Sequence, residues 1–192
     1  DGAAFAHDAI GRGAVAVVAE TPPAGAVAVP WITVGDGRLA LALLADAFYG
    51  HPSRTLTVVG ITGTNGKTTT AYLTSALFEA AGVKAGLLGT VTYRIGAEEY
   101  EAERTTPEAP DLQAMMRAMV DRGCGACALE VSSHALALRR VDGMAFAAAV
   151  FTNLTRDHLD YHGSMAAYFA AKRRLFDMLP AGAPAVINLD DP

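Results

Sequence analysis

The sequence has 192 residues, 52% of them hydrophobic and 18% charged, which suits one substantial domain or one domain plus part of another and excludes a disordered chain. The net charge is -5 and the longest basic run is Lys172-Arg173-Arg174, so a nucleic-acid partner is not expected. No apolar segment reaches membrane-spanning length without glycine, proline or charge, and no signal-peptide pattern opens the chain, so we expect a cytoplasmic protein without a membrane partner.

Helical and strand-like patterns alternate along the whole chain. The first fifty residues hold helical segments at 5–12 and 38–48 and strand-like segments at 14–19 and 27–34. Asp36 has the position of an N-cap for the second helix. Gly50-His51-Pro52-Ser53 interrupts the alternation, so we place a domain boundary there and predict two units, residues 1–50 and 51–192.

The most informative segment follows this boundary, after an apolar, β-branched run at 55–59 and before a helical pattern at 71–78. It reads Gly60-Ile61-Thr62-Gly63-Thr64-Asn65-Gly66-Lys67-Thr68-Thr69. Its glycines let backbone N–H groups converge on anionic oxygens, and the helix N-terminus adds its positive end. Lys67 would reach the β- and γ-phosphates, and the Thr68 hydroxyl suits Mg²⁺.

This phosphate-loop pattern has one departure. Ile61 stands where the general pattern has a glycine, five residues before Gly66. The alternative is a glycine-rich turn with an exposed lysine. Because a strand and a helix flank the segment on the correct sides, we predict that the chain binds a nucleoside triphosphate.

The alternation continues beyond the loop. We predict strands at 84–88, 126–131, 145–151 and 183–188, helices at 110–122 and 164–179, and a hairpin or loop at 90–103. The runs at 126–131 and 145–151 are continuously apolar, as in central parallel strands, and 183–188 is expected to be one more buried strand. This order predicts an α/β fold: a doubly wound, mostly parallel sheet with a phosphate loop, preceded by part of a smaller α/β domain.

The cysteines and the chain ends carry less information. Cys124 and Cys127 lie in Cys-Gly-Ala-Cys, which could be a redox motif or half of a zinc site, but no second pair completes four ligands. We favour reduced, structural thiols in a reducing cytosol. The chain opens without methionine and stops just after a predicted strand, which we interpret as a piece of a longer protein.

Three polar clusters lie where ligands bind in open α/β sheets, near the carboxyl ends of strands. They are Thr105-Thr106-Pro107-Glu108, Glu130-Val131-Ser132-Ser133-His134 and the run 152–162. Glu130 ends a buried strand close to the phosphate loop, which is where a second Mg²⁺ ligand belongs. The alternative is that Glu130 caps the following helix.

Histidines and aspartates within these clusters have less certain roles. Any one of His134, His158 and His162 can be a hydrogen-bonded structural residue, and His158 is the strongest functional candidate because it lies in the densest polar run. Asp157 and Asp160 are either metal ligands or turn residues. A lysine at 172, taken alone, would be an ordinary solvated residue.

The phosphate loop and the three clusters together resemble the Mur ligases, most closely those members that add a third amino acid to a UDP-linked muramoyl dipeptide. The resemblance is carried by Gly63-Thr64-Asn65-Gly66-Lys67-Thr68, Thr105-Thr106-Pro107-Glu108, Glu130-Val131-Ser132-Ser133-His134 and Phe151-Thr152-Asn153-Leu154-Thr155-Arg156-Asp157-His158-Leu159-Asp160-Tyr161-His162-Gly163. The first string alone covers the wider superfamily, including folylpolyglutamate synthases, whereas the last two are narrower. The family's own shorter loop pattern accounts for Ile61.

The resemblance implies a three-domain enzyme. Residues 1–50 would be the C-terminal part of an N-terminal UDP-substrate-binding domain, and residues 51–192 much of the central ATP-binding domain. The C-terminal domain, which admits the incoming amino acid, would lie outside this chain, so the chain alone is expected to be inactive.

Site residues are also implied by the resemblance. The ATP phosphates would be held by Gly63, Thr64, Asn65, Gly66, Lys67, Thr68 and Thr69. Thr68 and Glu130 would ligate one Mg²⁺, and His158 the second. Lys172 stands where the family has a carbamylated lysine, a modification that turns the cation into an anion able to help hold Mg²⁺. The implied catalytic residues are Lys67, Glu130, His158 and Lys172.

Contacts to the muramoyl dipeptide would come from Thr105, Thr106, Ser132 and Arg140. Relatives often place a glutamine two residues before this arginine, and the chain has Leu138 there, so a substrate contact at that position is in doubt.

The implied reaction is ATP-driven amide bond formation in peptidoglycan precursor synthesis, with ATP and Mg²⁺ as cofactors, small-molecule substrates and a monomeric enzyme. We expect meso-diaminopimelate as the added amino acid, on family frequency rather than on any residue, with L-lysine as the alternative. Three further functions stay open: a folylpolyglutamate synthase, a generic P-loop kinase or GTPase, and a nucleotide-binding fragment without catalysis.

Overall fold

A computed structural model describes residues 2–191, and no helix in this range is long and apolar enough to cross a membrane. The strands are β1 Val17–Ala19, β2 Trp31–Thr33, β3 Thr57–Thr62, β4 Ala85–Leu88, β5 Thr92–Ile95, β6 Glu98–Glu101, β7 Ala126–Glu130, β8 Ala148–Phe151 and β9 Ala185–Ile187. The α-helices are α1 Ala6–Gly11, α2 Gly37–Phe48, α3 Lys67–Ala80, α4 Ala109–Asp121, α5 Ser133–Ala137, α6 Leu159–His162 and α7 Met165–Asp177. Short 3₁₀ helices span Gly2–Phe5 and Pro52–Arg54.

Strands β3 to β9 form one sheet in the order β6-β5-β4-β7-β3-β8-β9. Strands β4, β7, β3, β8 and β9 run parallel, and β5 and β6 form an antiparallel hairpin at one edge. Because β3 lies between β7 and β8, with Ile61 opposite Glu130 and Thr62 opposite Phe151, three strands end side by side. Strands β1 and β2 pair in a separate parallel sheet.

Alternate residues of a strand point to opposite faces of a sheet. Helices cover both faces of the large sheet. On one face, Ala128 of β7 packs with Ile61 and with Ala71 of α3. On the other face, Leu129 belongs to a larger core that includes Leu112 of α4 and Leu175 of α7. The predicted doubly wound, mostly parallel α/β fold is confirmed.

Local predictions inside this fold are largely confirmed. The Asp36 carboxylate accepts a hydrogen bond from the Leu39 N–H at 2.9 Å and caps α2. The polar region 90–103 contains the β5–β6 hairpin. The strand before the phosphate loop runs from Thr57 to Thr62, three residues beyond its predicted end, because the apolar pattern continues through Ile61.

The prediction that 183–188 forms a buried strand is wrong. Strand β9 lies at the sheet edge, and Val186 and Ile187 are 53% and 56% exposed. An apolar sequence is buried only where another element covers it, and no element among residues 2–191 covers both faces of this edge. The neighbouring Val150 and Phe151 of β8 are only partly buried for the same reason.

Both cysteines are free thiols buried in the core, Cys124 at the turn before β7 and Cys127 within it. Burial, with a smaller contribution from Cys124, raises the pKa of the Cys127 thiol to about 12. A thiol with so high a pKa stays protonated and is a poor nucleophile or metal ligand. This environment fits structural thiols.

The Leu129→Ala substitution tests the core. Leu129 is fully buried in β7. The cavity left by alanine is expected to lower the free energy of unfolding by about 3 kcal/mol, measured by urea denaturation. The matched control is Leu77→Ala on α3, where the leucine is 71% exposed, and it should change stability by less than about 0.5 kcal/mol. Equal losses in both variants would contradict the assigned core.

Candidate active site

The phosphate loop is a short turn between β3 and α3. Ile61 is fully buried inside β3, so the turn begins only after Thr62, and α3 begins at Lys67. Gly66 at the helix N-cap has φ 82°, a left-handed conformation that favours glycine. The first turn of α3 therefore directs N–H groups without intrahelical partners, together with the positive end of the helix, toward the loop.

The polar run after β8 holds the loop in place. The Asn153 carbonyl accepts from the Thr64 N–H at 2.9 Å, and the Asn153 side-chain oxygen accepts from the Asn65 N–H at 2.9 Å. The Thr155 N–H donates to the Thr64 hydroxyl at 3.0 Å. The sequence marks this run as polar but does not predict that it anchors the loop.

Gly63 leaves no room for a side chain. It has φ 140°, and a Cβ there would lie 1.9 Å from Thr152 Oγ1 and 3.1 Å from the Asn153 backbone nitrogen. The Gly63→Ala substitution is therefore expected to displace the loop and weaken binding of a nucleotide analogue by about tenfold or more in a calorimetric titration.

A matched control separates this collision from simple backbone strain. Gly82 also has a positive φ, 78°, but a Cβ there meets nothing within 4 Å. Gly82→Ala should therefore lower stability slightly and leave nucleotide affinity unchanged. Equal affinities for both variants would show that the close approach at Gly63 has no effect on the ligand.

Two lysines converge on the carbonyl oxygen of Gly63. Lys67 Nζ donates to it at 3.0 Å and to the Thr64 carbonyl at 2.8 Å, and Lys172 Nζ donates to it at 2.6 Å. Lys172 is 1% exposed, and its Nζ lies 4.5 Å from the centre of the Tyr168 ring. This buried placement differs from that of the solvated lysine that the local sequence alone predicts.

Burial shifts the pKa of both lysines. It lowers the pKa of Lys172 to about 7, with the charge of Lys67 acting in the same direction and Asp157 opposing. The pKa of Lys67 is also lowered by burial, against the opposing charges of Glu130 and Asp157. A partly desolvated cation beside the start of a helix is a suitable site for an anionic oxygen.

Glu130 ends β7 and is fully buried. Its Oε2 accepts from the Thr68 hydroxyl and from the Thr90 hydroxyl, each at 3.1 Å, and its Oε1 accepts from the Thr90 N–H at 3.1 Å. The alternative in which Glu130 caps the next helix is wrong, because Ser132 caps α5 by accepting from the Ala135 N–H at 3.1 Å.

The Thr68 and Glu130 pair fits a hard divalent cation. Mg²⁺ prefers carboxylate and hydroxyl oxygens, with water completing its coordination. Among the described residues no lysine, arginine or histidine nitrogen lies within 4.0 Å of the Glu130 carboxylate, so its charge is available to an ion. No cluster of three or more His, Cys, Asp or Glu side chains with metal-binding geometry occurs in residues 2–191.

His158 lies in an aromatic cluster beside the loop. Its ring centre lies 4.8 Å from that of His134 and 6.1 Å from that of Tyr168, and His162 lies 5.2 Å from Tyr168. Burial lowers the pKa of His134 and of His162, and neighbouring imidazoles lower both further. Asp157 Oδ2 lies 3.5 Å from His158 Nε2. The lowered pKa values favour neutral imidazoles at His134 and His162, which are then available as hydrogen-bond partners.

The residues assigned to the acceptor substrate lie next to Glu130. The Ser132 N–H donates to the Thr106 hydroxyl at 3.0 Å, and Arg140 Nη1 donates to the Thr106 carbonyl at 3.1 Å. Arg140 also pairs with Glu108 at 2.5 Å, which fixes the guanidinium over this segment. Thr105 precedes Thr106 at the start of the same segment.

The structure thus brings most predicted site residues to one end of the sheet. Lys67 and Lys172 share the Gly63 carbonyl, and Thr68 donates to Glu130. His158 lies beside them, next to Tyr168 and to Asp157, whose charge acts on both lysines. Thr69 lies slightly apart, lining a cavity of about 500 Å³ between α3, β8 and the edge strand β9.

Three site residues were missed by sequence reasoning. Thr90 follows β4 after Gly89, at the same end of the sheet, and that position was its only signal. Tyr168 lies four residues before Lys172, on the same face of α7. Asn153 stands near the start of the polar run after β8, but nothing in its sequence context indicates its contact with the loop.

Comparisons with known proteins identify similar sequences and structures. The family model described as the Mur ligase middle domain matches residues 61–192. A Geobacter metallireducens protein named UDP-N-acetylmuramoyl-L-alanyl-D-glutamate--2,6-diaminopimelate ligase is 54% identical over 187 residues, which cover 94% of this chain and 37% of that protein. A Chlorobaculum tepidum protein of the same name is 54% identical over 193 residues, covering 100% of this chain and 38% of that protein.

A solved structure of a ligase with that name superimposes with a TM-score of 0.84 and 35% identity, covering 98% of this chain and 38% of the other. The chain therefore spans less than two fifths of the length of these relatives. The Mur ligase middle-domain model matches more than half of the residues of this chain. The chain therefore belongs to the Mur ligase family.

Proposed function

We propose that the protein containing this chain uses ATP to form an amide bond between meso-diaminopimelate and UDP-N-acetylmuramoyl-L-alanyl-D-glutamate in peptidoglycan precursor synthesis. The observation that carries the proposal is the contact between Thr68 and Glu130, 3.1 Å apart beside the phosphate loop and its two lysines. The names of the relatives that are 54% identical support the choice of substrates.

The proposed reaction has two steps. The γ-carboxylate of the D-glutamate residue attacks the γ-phosphorus of ATP, the bond to the β-phosphate oxygen breaks, and ADP leaves with formation of an acyl phosphate. The amino group of the incoming amino acid then attacks the acyl carbon, loses a proton and displaces inorganic phosphate. Neither step needs a covalent intermediate on the protein, so positioning and charge stabilisation supply the catalysis.

The loop and Lys67 would bind the triphosphate, and the lysine would stabilise the negative charge on the phosphoryl group as it is transferred. Thr68 and Glu130 would hold one Mg²⁺, and His158 with a carbamylated Lys172 the second. Bound Mg²⁺ would neutralise charge on the triphosphate. The neighbouring imidazoles and Tyr168 would limit water around Lys172, which is already buried.

The acceptor peptide would lie over Thr105, Thr106, Ser132 and Arg140. These residues lie next to Glu130, so a carboxylate bound there would approach the phosphate loop. We also propose that residues 1–50 belong to a UDP-substrate domain and 51–192 to the ATP-binding domain, which the two separate sheets support. A cytoplasmic location is part of the same proposal, because the proposed substrates are soluble cytosolic molecules, and the enzyme is proposed to act as a monomer.

The test is an acceptor screen with the full-length protein. Release of ADP should require the UDP-linked muramoyl dipeptide and should be faster with meso-diaminopimelate than with L-lysine. A preference for L-lysine would correct the amino acid and keep the reaction class. Turnover with a pteroate acceptor and glutamate, but not with the dipeptide, would identify a folylpolyglutamate synthase and reject the proposal.

The 192-residue chain by itself needs a separate test, because it spans only 37% to 38% of the length of these relatives. It is expected to bind Mg-ATP weakly without turnover. Isothermal titration with Mg-ATP and with the UDP-linked dipeptide measures this. Steady release of ADP by the isolated chain would show that the residues outside it are not needed for catalysis.

A further inference from the structure

Thr90 links the carboxylate of Glu130 to the acceptor segment, whereas the hydrogen bond from the Thr106 hydroxyl at 2.8 Å reaches only the main-chain carbonyl of Glu130. Its hydroxyl oxygen lies 3.1 Å from Glu130 Oε2 and 3.1 Å from Thr105 Oγ1, and its N–H donates to Glu130 Oε1 at 3.1 Å. Gly89, just before it, approaches the same carboxylate so closely that a Cβ would lie 2.2 Å from Glu130 Oε1. The end of β4 therefore fits around both oxygens of this buried carboxylate.

Hydrogen-bond chemistry fixes the direction of this chain of contacts. A threonine hydroxyl has one hydrogen, and a carboxylate can only accept. The Thr68 and Thr90 hydroxyls must therefore both donate to Glu130, and the Thr105 hydroxyl donates to Thr90. This leaves acceptor lone pairs on Thr68, where a cation is proposed to bind, and on Thr105, where a substrate N–H can donate.

We propose that Thr90 is a positioning residue that couples the metal-and-nucleotide end of the site to the acceptor-peptide end. This inference rests on the proposed function for the identity of the two ligands. The Thr90 hydroxyl and N–H hold the Glu130 carboxylate in the orientation in which it would meet a cation, and the same hydroxyl accepts from Thr105, so order at one end extends to the other through one further hydrogen bond. Occupancy of one end thereby alters the affinity of the other, reciprocally.

Burial separates this role from a structural one. Thr90 is exposed, whereas its partner Glu130 is fully buried. Removal of the Thr90 hydroxyl therefore leaves the packed core intact, and the backbone N–H still holds one carboxylate oxygen. What is lost is one hydrogen bond to a charged group and the connection to Thr105.

The experiment compares Thr90→Val, Thr90→Ser and Thr92→Val in the full-length protein. Thr92 is the matched control, because its hydroxyl donates to the Tyr100 carbonyl at 3.0 Å, away from Glu130. One readout is Mn²⁺ affinity, measured by electron paramagnetic resonance with a non-hydrolysable ATP analogue. The other is the KM for the UDP-linked dipeptide, set against kcat.

Thr90→Val should weaken Mn²⁺ binding about tenfold and raise the dipeptide KM by a similar factor, with an unchanged melting temperature. Thr90→Ser should restore both constants, and Thr92→Val should change neither. In a double-mutant cycle with Thr105→Val, the effects on KM should be non-additive.

Three outcomes would overturn the inference: unchanged constants in Thr90→Val, an equal defect in Thr90→Ser, or a change in only one of the two constants. Failure of the proposed function is distinguishable, since it would appear as absent turnover in the unmodified protein. The Mn²⁺ measurement needs no turnover, so it still decides whether Thr90 positions Glu130.

Discussion

Replacing Lys67 with alanine is expected to lower ATP-dependent turnover of the full-length protein by about a thousandfold or more. Lys67 is the cation at the start of α3, and within the described residues its Nζ donates only to the carbonyls of Gly63 and Thr64. Because burial already lowers its pKa, the ammonium is partly desolvated and poised for a phosphate oxygen. Alanine removes that charge from the transition state for phosphoryl transfer.

The fold should survive this change, because Lys67 contributes no packing to either core cluster. Circular dichroism and a thermal melt of Lys67→Ala check this, and steady-state release of ADP measures the loss. Lys84→Ala is the control: Lys84 is exposed and donates to the Arg122 carbonyl at 2.7 Å, remote from the loop. Near-normal ADP release by Lys67→Ala would refute the assigned role.

The phosphate loop was predictable from sequence because its signal is local. A strand, a glycine-rich turn, Gly-Lys-Thr and a helix are adjacent in the chain, and the left-handed Gly66 at the helix start is a requirement that glycine alone meets without strain. The position of Glu130 beside this loop was predictable for a related reason. It ends a continuously buried strand, and parallel strands next to a phosphate loop end at the same side of the sheet.

Contacts between distant segments left weaker signals. The hydrogen bond of Asn153 to the loop spans 88 residues, and that of Thr90 to Glu130 spans 40. A short hydroxyl or amide has no periodicity, so only strand order places it. The exposure of β9 was mispredicted on similar grounds, since an apolar run does not indicate whether another element covers it.

The burial of Lys172 was predictable from the sequence, but its hydrogen-bond partner was not. Beside Arg173 and Arg174 it resembles a solvated residue, yet the buried side of α7 consists of Tyr168, Ala171, Lys172 and Leu175. That spacing is one helical face, with the lysine inside the apolar stripe. The periodicity therefore contained the information that this lysine is buried. What it could not show is the partner, the Gly63 carbonyl at 2.6 Å.

Burial of Lys172 has a chemical consequence. Only a neutral amine forms an N–C bond with carbon dioxide, losing a proton to give a carbamate. An ordinary lysine is almost fully protonated at neutral pH, but burial and the charge of Lys67 lower the pKa of Lys172 to about 7. As pH rises through this value the neutral fraction rises, so carbamate formation should increase with pH and decline as pH falls below it.

If Lys172 is carbamylated as proposed, Lys172→Ala removes a negative ligand for Mg²⁺ and is expected to lower turnover of the full-length protein by about a thousandfold. A short carboxylate such as acetate, added to the assay, should restore part of the activity by occupying the space that the lysine side chain filled. Lys172→Arg should remain inactive with or without acetate, since a guanidinium stays protonated and forms no carbamate. Arg173→Ala, at an exposed position paired only loosely with Asp177 at 3.7 Å, should be normal. Full activity of Lys172→Ala would show that the lysine is dispensable, and equal rescue of Lys172→Arg would show that acetate acts elsewhere. Either result would reject the proposed carbamate ligand.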